Sequence, residues 1–160
     1  MKKKVALLGD SIRLGYGAKV PALLGDEYEV FQPEDNCRFA KYTLRGVFDW
    51  AEGLKGCHVI HWNNGLWDAT ECLGDGVFTP VDEYVENMLR IAKLLKAITP
   101  NVIFATTTPT HPEYPYTHND KIDIFNAAIV PKLQEMGIEI NDLHEVVANH
   151  MDYICEDQIH

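Results

Sequence analysis

An α/β sandwich with parallel strands is the fold class that the sequence predicts. Short apolar runs alternate along the chain with longer amphipathic segments, and this order is typical of buried parallel strands joined by covering helices. The apolar runs are rich in β-branched and aromatic residues, as buried strands are. No repeat, low-complexity tract or linker interrupts the pattern, so residues 1–160 are predicted to form one domain. The predicted strands are residues 4–9, 27–31, 57–62, 101–106 and 137–141.

Two long helices are predicted between the later strands. Apolar residues recur at helical spacing over 80–98, where Thr79 is the predicted N-cap and Pro80 suits the first helical position. The second is predicted over 119–136, with Gly137 as its stop. Shorter helices are expected after Ser11, over 41–54 and after Asp142.

The composition narrows the classes of partner. The chain carries a formal net charge of −10 and has no basic stripe that could follow a phosphate backbone. We therefore expect no nucleic acid and no membrane among its partners. The apolar run near the N-terminus ends at Gly9-Asp10, too early for a signal-peptide core or a membrane span. Four cysteines without a CxxC pair favour reduced thiols and a cytoplasmic location.

Polar residues follow three of the predicted strands. Gly9-Asp10-Ser11 follows the first, residues 63–68 follow the third, and residues 106–118 follow the fourth. In open parallel sheets, ligands bind outside the carboxyl ends of the strands. These three loops are therefore expected to share one edge of the sheet and to form the binding cleft.

Ser11 is the only serine in the chain, and it lies where the first strand gives way to a helix. A serine on such a turn can present its hydroxyl to the cleft, with backbone N–H groups nearby to bind an oxyanion. The alternative is that Ser11 only caps the helix, which is a common role for serine. If serine chemistry operates in this protein, Ser11 must be the nucleophile.

A serine nucleophile needs a base, and the base usually needs a carboxylate to orient it. Of the seven histidines, only His160 has an aspartate three residues earlier, namely Asp157. His111 and His118, in the long loop after the fourth strand, are the fallback bases. His61 lies within the third strand and is expected to be a hydrogen-bonded core residue.

Together, "GDS" after the first strand, an Asn-rich turn after a middle strand and D-x-x-H near the end resemble the SGNH hydrolases, also called GDSL-type esterases and lipases. The resemblance implies a three-layer α/β/α sandwich with a parallel, flavodoxin-like five-stranded sheet. It implies ester hydrolysis through an acyl-enzyme, with Ser11 as nucleophile, His160 as general base and Asp157 as the residue that orients the imidazole.

The resemblance also implies an oxyanion hole. The backbone N–H of Ser11 is one donor, and an asparagine side chain is another; Asn63 and Asn64 are both candidates, because aligning strands and aligning asparagines give different answers. The glycine that supplies a further N–H in the family has no counterpart here, so Asn36 or Cys37 is the candidate for that donor. A plain Asn-Asn-Gly turn is the structural alternative for this block.

Substrate contacts are predicted from the residues beside these motifs. The candidates are Asp10, Asn36, Arg38 and Trp67. No histidine and carboxylate cluster has ligand spacing, so no metal and no cofactor are expected. Short loops favour a small-molecule ester with a small acyl group, such as acetyl on a sugar or another polar alcohol. The alternative function is a non-catalytic flavodoxin-like binding or interaction domain derived from a hydrolase.

His160 is the last residue of the sequence, so its side chain needs contacts that hold it in place. Terminal residues fray unless other contacts hold them. Members of the family usually continue into a closing helix, and this chain is expected to lack it.

Overall fold

The computed structural model describes residues 2–160, and its centre is a five-stranded sheet in which every neighbouring pair is parallel. The spatial order is β2-β1-β3-β4-β5, which confirms the predicted flavodoxin-like α/β/α sandwich. All five predicted strands form. Their bounds are β1 Lys3–Leu8, β2 Tyr28–Phe31, β3 Val59–Trp62, β4 Val102–Ala105 and β5 Glu139–Asn141.

Helices join the strands and cover the sheet. Their bounds are α1 Ser11–Gly17, α2 Lys19–Leu24, α3 Ala40–Asp49, α4 Ala51–Leu54, α5 Val81–Ile98, α6 Asn119–Glu135 and α7 Leu143–Ala148, with a 3₁₀ turn at Met151–Tyr153. Gly137 follows α6 with φ of +71°, a conformation that favours glycine, so its predicted role as a stop is confirmed. In the part of the chain that the structure describes, no helix is long and apolar enough to cross a bilayer.

The predicted cap of α5 is wrong. Pro80 occupies the N-cap position, and no side chain caps the helix. Thr79 is buried, and its backbone N–H donates to the carbonyl of Asp68 at 3.1 Å. Its contacts are therefore made with the loop after β3 and leave the first turn of α5 uncapped.

The two faces of the sheet have different partners. One face packs into a continuous core that includes buried residues of α3, α5 and α6. The strand residues on this face include Ala6, Ile60 and Phe104. On the other face, Val5 and Ile103 are among the residues that line an apolar groove of about 570 Å³ flanked by α1, α2 and α7. This division follows from the alternation of side chains along each strand.

The register of the strands brings the three polar loops together. Leu8, Trp62 and Phe104 lie side by side near the ends of β1, β3 and β4. Because these strands are parallel, the segments that follow them leave the sheet at the same edge. The cleft expected from the sequence therefore lies at this edge.

A buried carboxylate ties two elements together beneath that edge. The side chain of Asp68 is fully buried, and its Oδ2 accepts a hydrogen bond of 2.9 Å from the backbone N–H of Ala40, the first residue of α3. Phe39, at the N-cap of α3, makes no side-chain cap bond. Burial raises the pKa of Asp68 to about 6, and hydrogen bonds from Thr79 and Ala40 oppose that rise.

This carboxyl makes the stability of the fold depend on pH. The folded state keeps the Asp68 proton up to about pH 6, whereas the unfolded chain releases it near 3.8, so stability falls as the pH rises between these values. We expect Asp68→Asn to lack this loss. Its free energy of unfolding, relative to wild type, should rise by up to about 3 kcal/mol between pH 4 and pH 7. Urea unfolding of both proteins across this range measures the difference, and a constant difference would contradict the assignment.

Candidate active site

Ser11 is the first residue of α1, and the residue that caps this helix is Asp10. The Asp10 carboxylate accepts a hydrogen bond of 3.0 Å from the backbone N–H of Ile12. The capping role considered for Ser11 is therefore filled by its neighbour. Ser11 is half-buried and lines a cavity at the carboxyl edge of the sheet.

His160 and Asp157 form a hydrogen-bonded pair. The imidazole Nδ1 lies 2.6 Å from Asp157 Oδ2, and Asp157 Oδ1 accepts from the backbone N–H groups of His160 at 2.9 Å and Ile159 at 3.1 Å. The N–H of His160, its imidazole and the N–H of Ile159 lower the pKa of Asp157 to about 2. The carboxylate therefore orients the ring with Nδ1 towards Asp157.

The segment that carries this pair is held by several hydrogen bonds. The N–H of Cys155 donates to the backbone carbonyl of His160, and the N–H of Gln158 donates to the carbonyl of Cys155 at 2.9 Å. The loop after β4 contributes as well, because the N–H of His111 donates to the carbonyl of Gln158 at 2.8 Å. The fraying expected for His160 is thus opposed by a turn that closes on itself and attaches to that loop.

Ser11 and His160 line one cavity of about 500 Å³. Trp67, a predicted substrate contact, lines it too. The other lining residues are Phe39, Leu66, Thr70, Cys72, Phe78, Tyr114 and Ile159. The first and last blocks of the sequence pattern therefore meet at one site, with Asp157 attached through His160.

The two candidate asparagines point in different directions. Asn63 Nδ2 donates to Asp10 Oδ1 at 2.9 Å, which places its amide against the turn that carries Ser11. Asn64 Nδ2 donates to the carbonyl of Arg38 at 2.9 Å, and its Oδ1 accepts from the Trp62 indole at 2.7 Å. Only Asn63 is bonded directly to the Gly9-Asp10-Ser11 turn.

Gly9 permits this approach of Asn63. A Cβ atom at residue 9 would lie 1.9 Å from Asn63 Oδ1 and 2.7 Å from Arg13 Cβ. A larger residue would displace the amide from Asp10. The absence of a side chain at Gly9 therefore lets Asn63 pack against the turn.

A chain of hydrogen bonds fixes the orientation of the Asn63 amide. Asn63 Oδ1 accepts from the Tyr16 hydroxyl at 3.3 Å, and the same hydroxyl lies 3.3 Å from His61 Nδ1. Because Tyr16 has one proton to donate, we assign the His61 proton to Nδ1; its Nε2 then accepts from Asn141 Nδ2 at 3.1 Å. Burial lowers the pKa of His61 to about 4, so the ring is neutral.

This series of hydrogen bonds ends at a buried acid, Asp10. Asp10 is 1% exposed and accepts from both Asn63 and Ile12. Burial raises the pKa of the Asp10 carboxyl, while those two hydrogen bonds and the charges of His160 and Arg13 oppose the rise. Asp10 is thus an internal acceptor, and its prediction as a substrate contact is wrong because no part of the cavity reaches it.

Two further predictions in the loop after β2 are corrected. The backbone N–H of Cys37 donates to the carbonyl of Gly9 at 3.1 Å, so it is not free to bind an oxyanion. The Arg38 guanidinium lies 3.5 Å from Asp35 Oδ1 and over the ring of Tyr42, outside the residues that line the cavity. Arg38 therefore pairs with an aspartate of its own loop.

Asn36 and the fallback bases lie apart from Ser11 as well. Asn36 Oδ1 accepts from the backbone N–H of Arg38 at 2.8 Å, which closes a local turn. His118 Nε2 lies 3.9 Å from Glu71, and His111 Nδ1 accepts from the N–H of Glu113 at 3.3 Å. None of the three lines the cavity in the part of the chain that the structure describes.

Tyr16 is the residue of the site that sequence reasoning missed. Its hydroxyl connects α1 to β3 through His61 and Asn63. The only available signal was its place in "GDSIRLGYG", because a contact between residues 45 positions apart leaves no local pattern.

This arrangement has the fold of the SGNH hydrolases, and the resemblance inferred from the sequence is confirmed at the level of fold. A GDSL-like lipase from Bacteroides thetaiotaomicron superposes with a TM-score of 0.76 and 20% identity, over 99% of this chain and 79% of that one. An acetyl xylan esterase, AlAXEase, gives 0.75 and 14% over 98% and 90%. AlinE4, an SGNH-hydrolase family esterase, gives 0.74 and 18% over 100% and 86%.

No family model matches the sequence, and no curated protein matches it. At the identities of the solved structures the likeness concerns the fold. The chemistry of this chain must therefore be argued from its own side chains.

Proposed function

We propose that this protein is a serine esterase that works through an acyl-enzyme. The observation that carries the proposal is that Ser11 and His160 line one cavity while Asp157 holds the His160 imidazole at 2.6 Å. A nucleophile, a base and a group that orients the base are the three parts such catalysis requires.

In the first half of the reaction, His160 Nε2 accepts the Ser11 proton as Oγ bonds to the carbonyl carbon of the ester. The carbonyl π electrons move to oxygen, and a tetrahedral oxyanion forms. When that intermediate collapses, the bond to the alcohol oxygen breaks, and His160 returns the proton to the departing alcohol. Asp157 remains ionised and stabilises the imidazolium between these transfers.

In the second half, water replaces the alcohol. His160 takes a proton from water as the water oxygen bonds to the acyl carbon. The same proton then passes to Ser11 Oγ as the bond between Oγ and the acyl carbon breaks. The products are a carboxylic acid and the free serine. The cycle consumes one water for each ester and leaves the protein unchanged.

We assign the oxyanion to the Ser11 backbone N–H and to the Asn63 amide. Asn63 does not itself line the cavity, but its amide is bonded to Asp10 in the turn that carries Ser11. One Asn63 N–H is bonded to Asp10, which leaves the second available. The direction of the amide is supported by Tyr16, since its hydroxyl occupies Oδ1. Asn64 also donates only once, to Arg38, and its Oδ1 accepts from Trp62. We prefer Asn63 because its amide is bonded to the turn that carries Ser11.

Asn63→Ala should lower kcat about 10²- to 10³-fold, because one donor to the transition-state oxyanion is lost. Tyr16→Phe should lower it about tenfold, because Asn63 keeps its donor but loses the hydroxyl that orients it. Steady-state kinetics on a nitrophenyl ester, with folding checked by circular dichroism, measures both. An unchanged kcat in folded Asn63→Ala, with a large loss in folded Asn64→Ala, would reverse the assignment.

The predicted preference for small acyl groups on polar alcohols stays a prediction. One structural neighbour is an acetyl xylan esterase at 14% identity, a likeness that concerns the fold.

The acyl-enzyme is tested by rapid mixing with p-nitrophenyl acetate. We expect a burst of nitrophenol that approaches one equivalent per chain, followed by a slower steady rate if deacylation limits turnover. A linear trace with a measurable rate would require the burst to be sought at lower pH, where deacylation slows. No release above the buffer rate with any nitrophenyl ester would contradict the proposal and favour the non-catalytic alternative.

A further inference from the structure

The cavity beside Ser11 is lined mainly by apolar side chains. Among the described residues, the ten that line it include no Asp, Glu, Lys or Arg. Phe39 is central to the wall: its ring packs edge to face against Trp67 at 5.3 Å and against Phe78 at 5.6 Å between centroids. We refer to Phe39, Trp67 and Phe78 as the aromatic wall.

The aromatic wall leaves apolar surface in contact with solvent. Phe78 is 45% exposed, and Phe39 and Trp67 are half-buried. Leu66 and Ile159 add to the apolar lining. Removing such surface from water is favourable, so an apolar ligand gains free energy by filling the cavity.

The cavity offers few hydrogen bonds to a sugar. Apart from Ser11, the lining holds two hydroxyl groups, those of Tyr114 and Thr70. Thr70 Oγ1 donates to the carbonyl of Leu66 at 2.8 Å and lies 2.8 Å from Thr117 Oγ1. This hydroxyl is committed to the protein, and hydroxyl groups buried there without partners would lose their hydrogen bonds to water.

We propose that the ester substrate places an apolar group of several carbons in this cavity, against the aromatic wall. The inference rests on the proposed esterase function and deepens it. The apolar group is an acyl chain or the alkyl part of the alcohol, since each reaches the same cavity from the scissile bond. A volume of about 500 Å³ lies within the range of ligand pockets and exceeds the need of an acetyl group.

Two ester series show whether the apolar group comes from the acyl chain or from the alcohol. In the first, methyl esters carry acyl groups from acetyl to octanoyl; in the second, acetates carry alcohols from methanol to octanol, all below their aggregation limits. In one series kcat/KM should rise about threefold to fourfold per methylene until the cavity is full. A flat dependence in both series, or faster hydrolysis of acetylated sugars than of every alkyl ester, would overturn the inference.

Variants of the aromatic wall provide the second measurement. Trp67→Ala and Phe78→Ala should each lower kcat/KM for the longest good substrate about tenfold and for methyl acetate far less, which reduces the slope per methylene. Phe48→Ala is the matched control, because Phe48 is 75% exposed on α3 and does not line the cavity. Equal slopes in wild type and in both wall variants would contradict the inference. If Trp67→Ala does not fold, Phe78→Ala alone provides the comparison.

Failure of the inference is distinguishable from failure of the esterase proposal. A flat chain-length dependence with turnover that disappears in Ser11→Ala removes only the apolar-group inference. Absence of turnover in every ester, together with no labelling of Ser11 by a fluorophosphonate, removes the esterase proposal itself.

Discussion

Ser11→Ala is expected to lower kcat for ester hydrolysis about 10⁵-fold, because the covalent route is lost while binding and the oxyanion donors remain. The fold should survive the change. Asp10 caps α1 through the N–H of Ile12, so the Ser11 hydroxyl is not needed to start the helix. Steady-state kinetics with a nitrophenyl ester and thermal unfolding of the same preparation measure the two effects separately.

The choice of control matters for this variant, because traces of a host esterase can imitate residual activity. Ser11→Cys is the matched control: it keeps a nucleophile of similar size, and its activity should be more sensitive to thiol reagents than that of wild type, which carries Cys72 in the same cavity. Retention of more than about one hundredth of the wild-type kcat by purified, folded Ser11→Ala would contradict the role of Ser11.

Asp157→Asn should have the second largest effect, a loss of about 10³- to 10⁴-fold in kcat. The carboxylate accepts from His160 Nδ1 and from two backbone N–H groups. An amide can still accept from the backbone through Oδ1, but its NH₂ group would face Nδ1 and favour the wrong tautomer of the imidazole. The measurement is kcat, with the far-ultraviolet spectrum as the check on folding.

Asp152→Asn is the control for Asp157→Asn, since Asp152 is an exposed acid in the same C-terminal region and does not line the cavity. Its kcat should equal that of wild type. The pH profile adds a test: because the pKa of Asp157 is about 2, protonation of this carboxyl cannot account for any loss of activity above pH 4. Equal kcat values in folded Asp157→Asn and wild type would show that His160 does not act through Asp157.

The parallel sheet and the edge that holds the cleft could be predicted because they depend on local patterns. Apolar runs mark the buried strands, and the residues directly after parallel strands must meet at one edge. That rule places Ser11 and residues 63–68 near each other from the sequence alone. His160 reached the same cavity through the pairing with Asp157 that its spacing indicated.

The choice between Asn63 and Asn64 required knowledge of which face each side chain occupies. Successive residues of an extended segment point to opposite faces. Trp62 faces the core with Phe104, so Asn63 faces the side where Tyr16 and α1 lie. A buried Trp62 is the signal that would have placed Asn63, rather than Asn64, on the side of α1.

Other parts of the site depend on contacts between distant residues and could not be read from local sequence. The chain through Tyr16, His61 and Asn141 joins an early helix to two strands, and each residue alone is ordinary. The role of Asp10 as the cap of α1 was not predicted from the sequence, for a different reason. Adjacent Asp and Ser residues are both good caps, and only the backbone geometry selects between them.

The most direct measurement of the central claim is covalent labelling of the native protein with a fluorophosphonate, followed by intact mass and peptide mapping. The account predicts one adduct per chain on Ser11, lost in Ser11→Ala and formed much more slowly in Asp157→Asn. An unlabelled folded protein, or an adduct elsewhere that persists in Ser11→Ala, would contradict it.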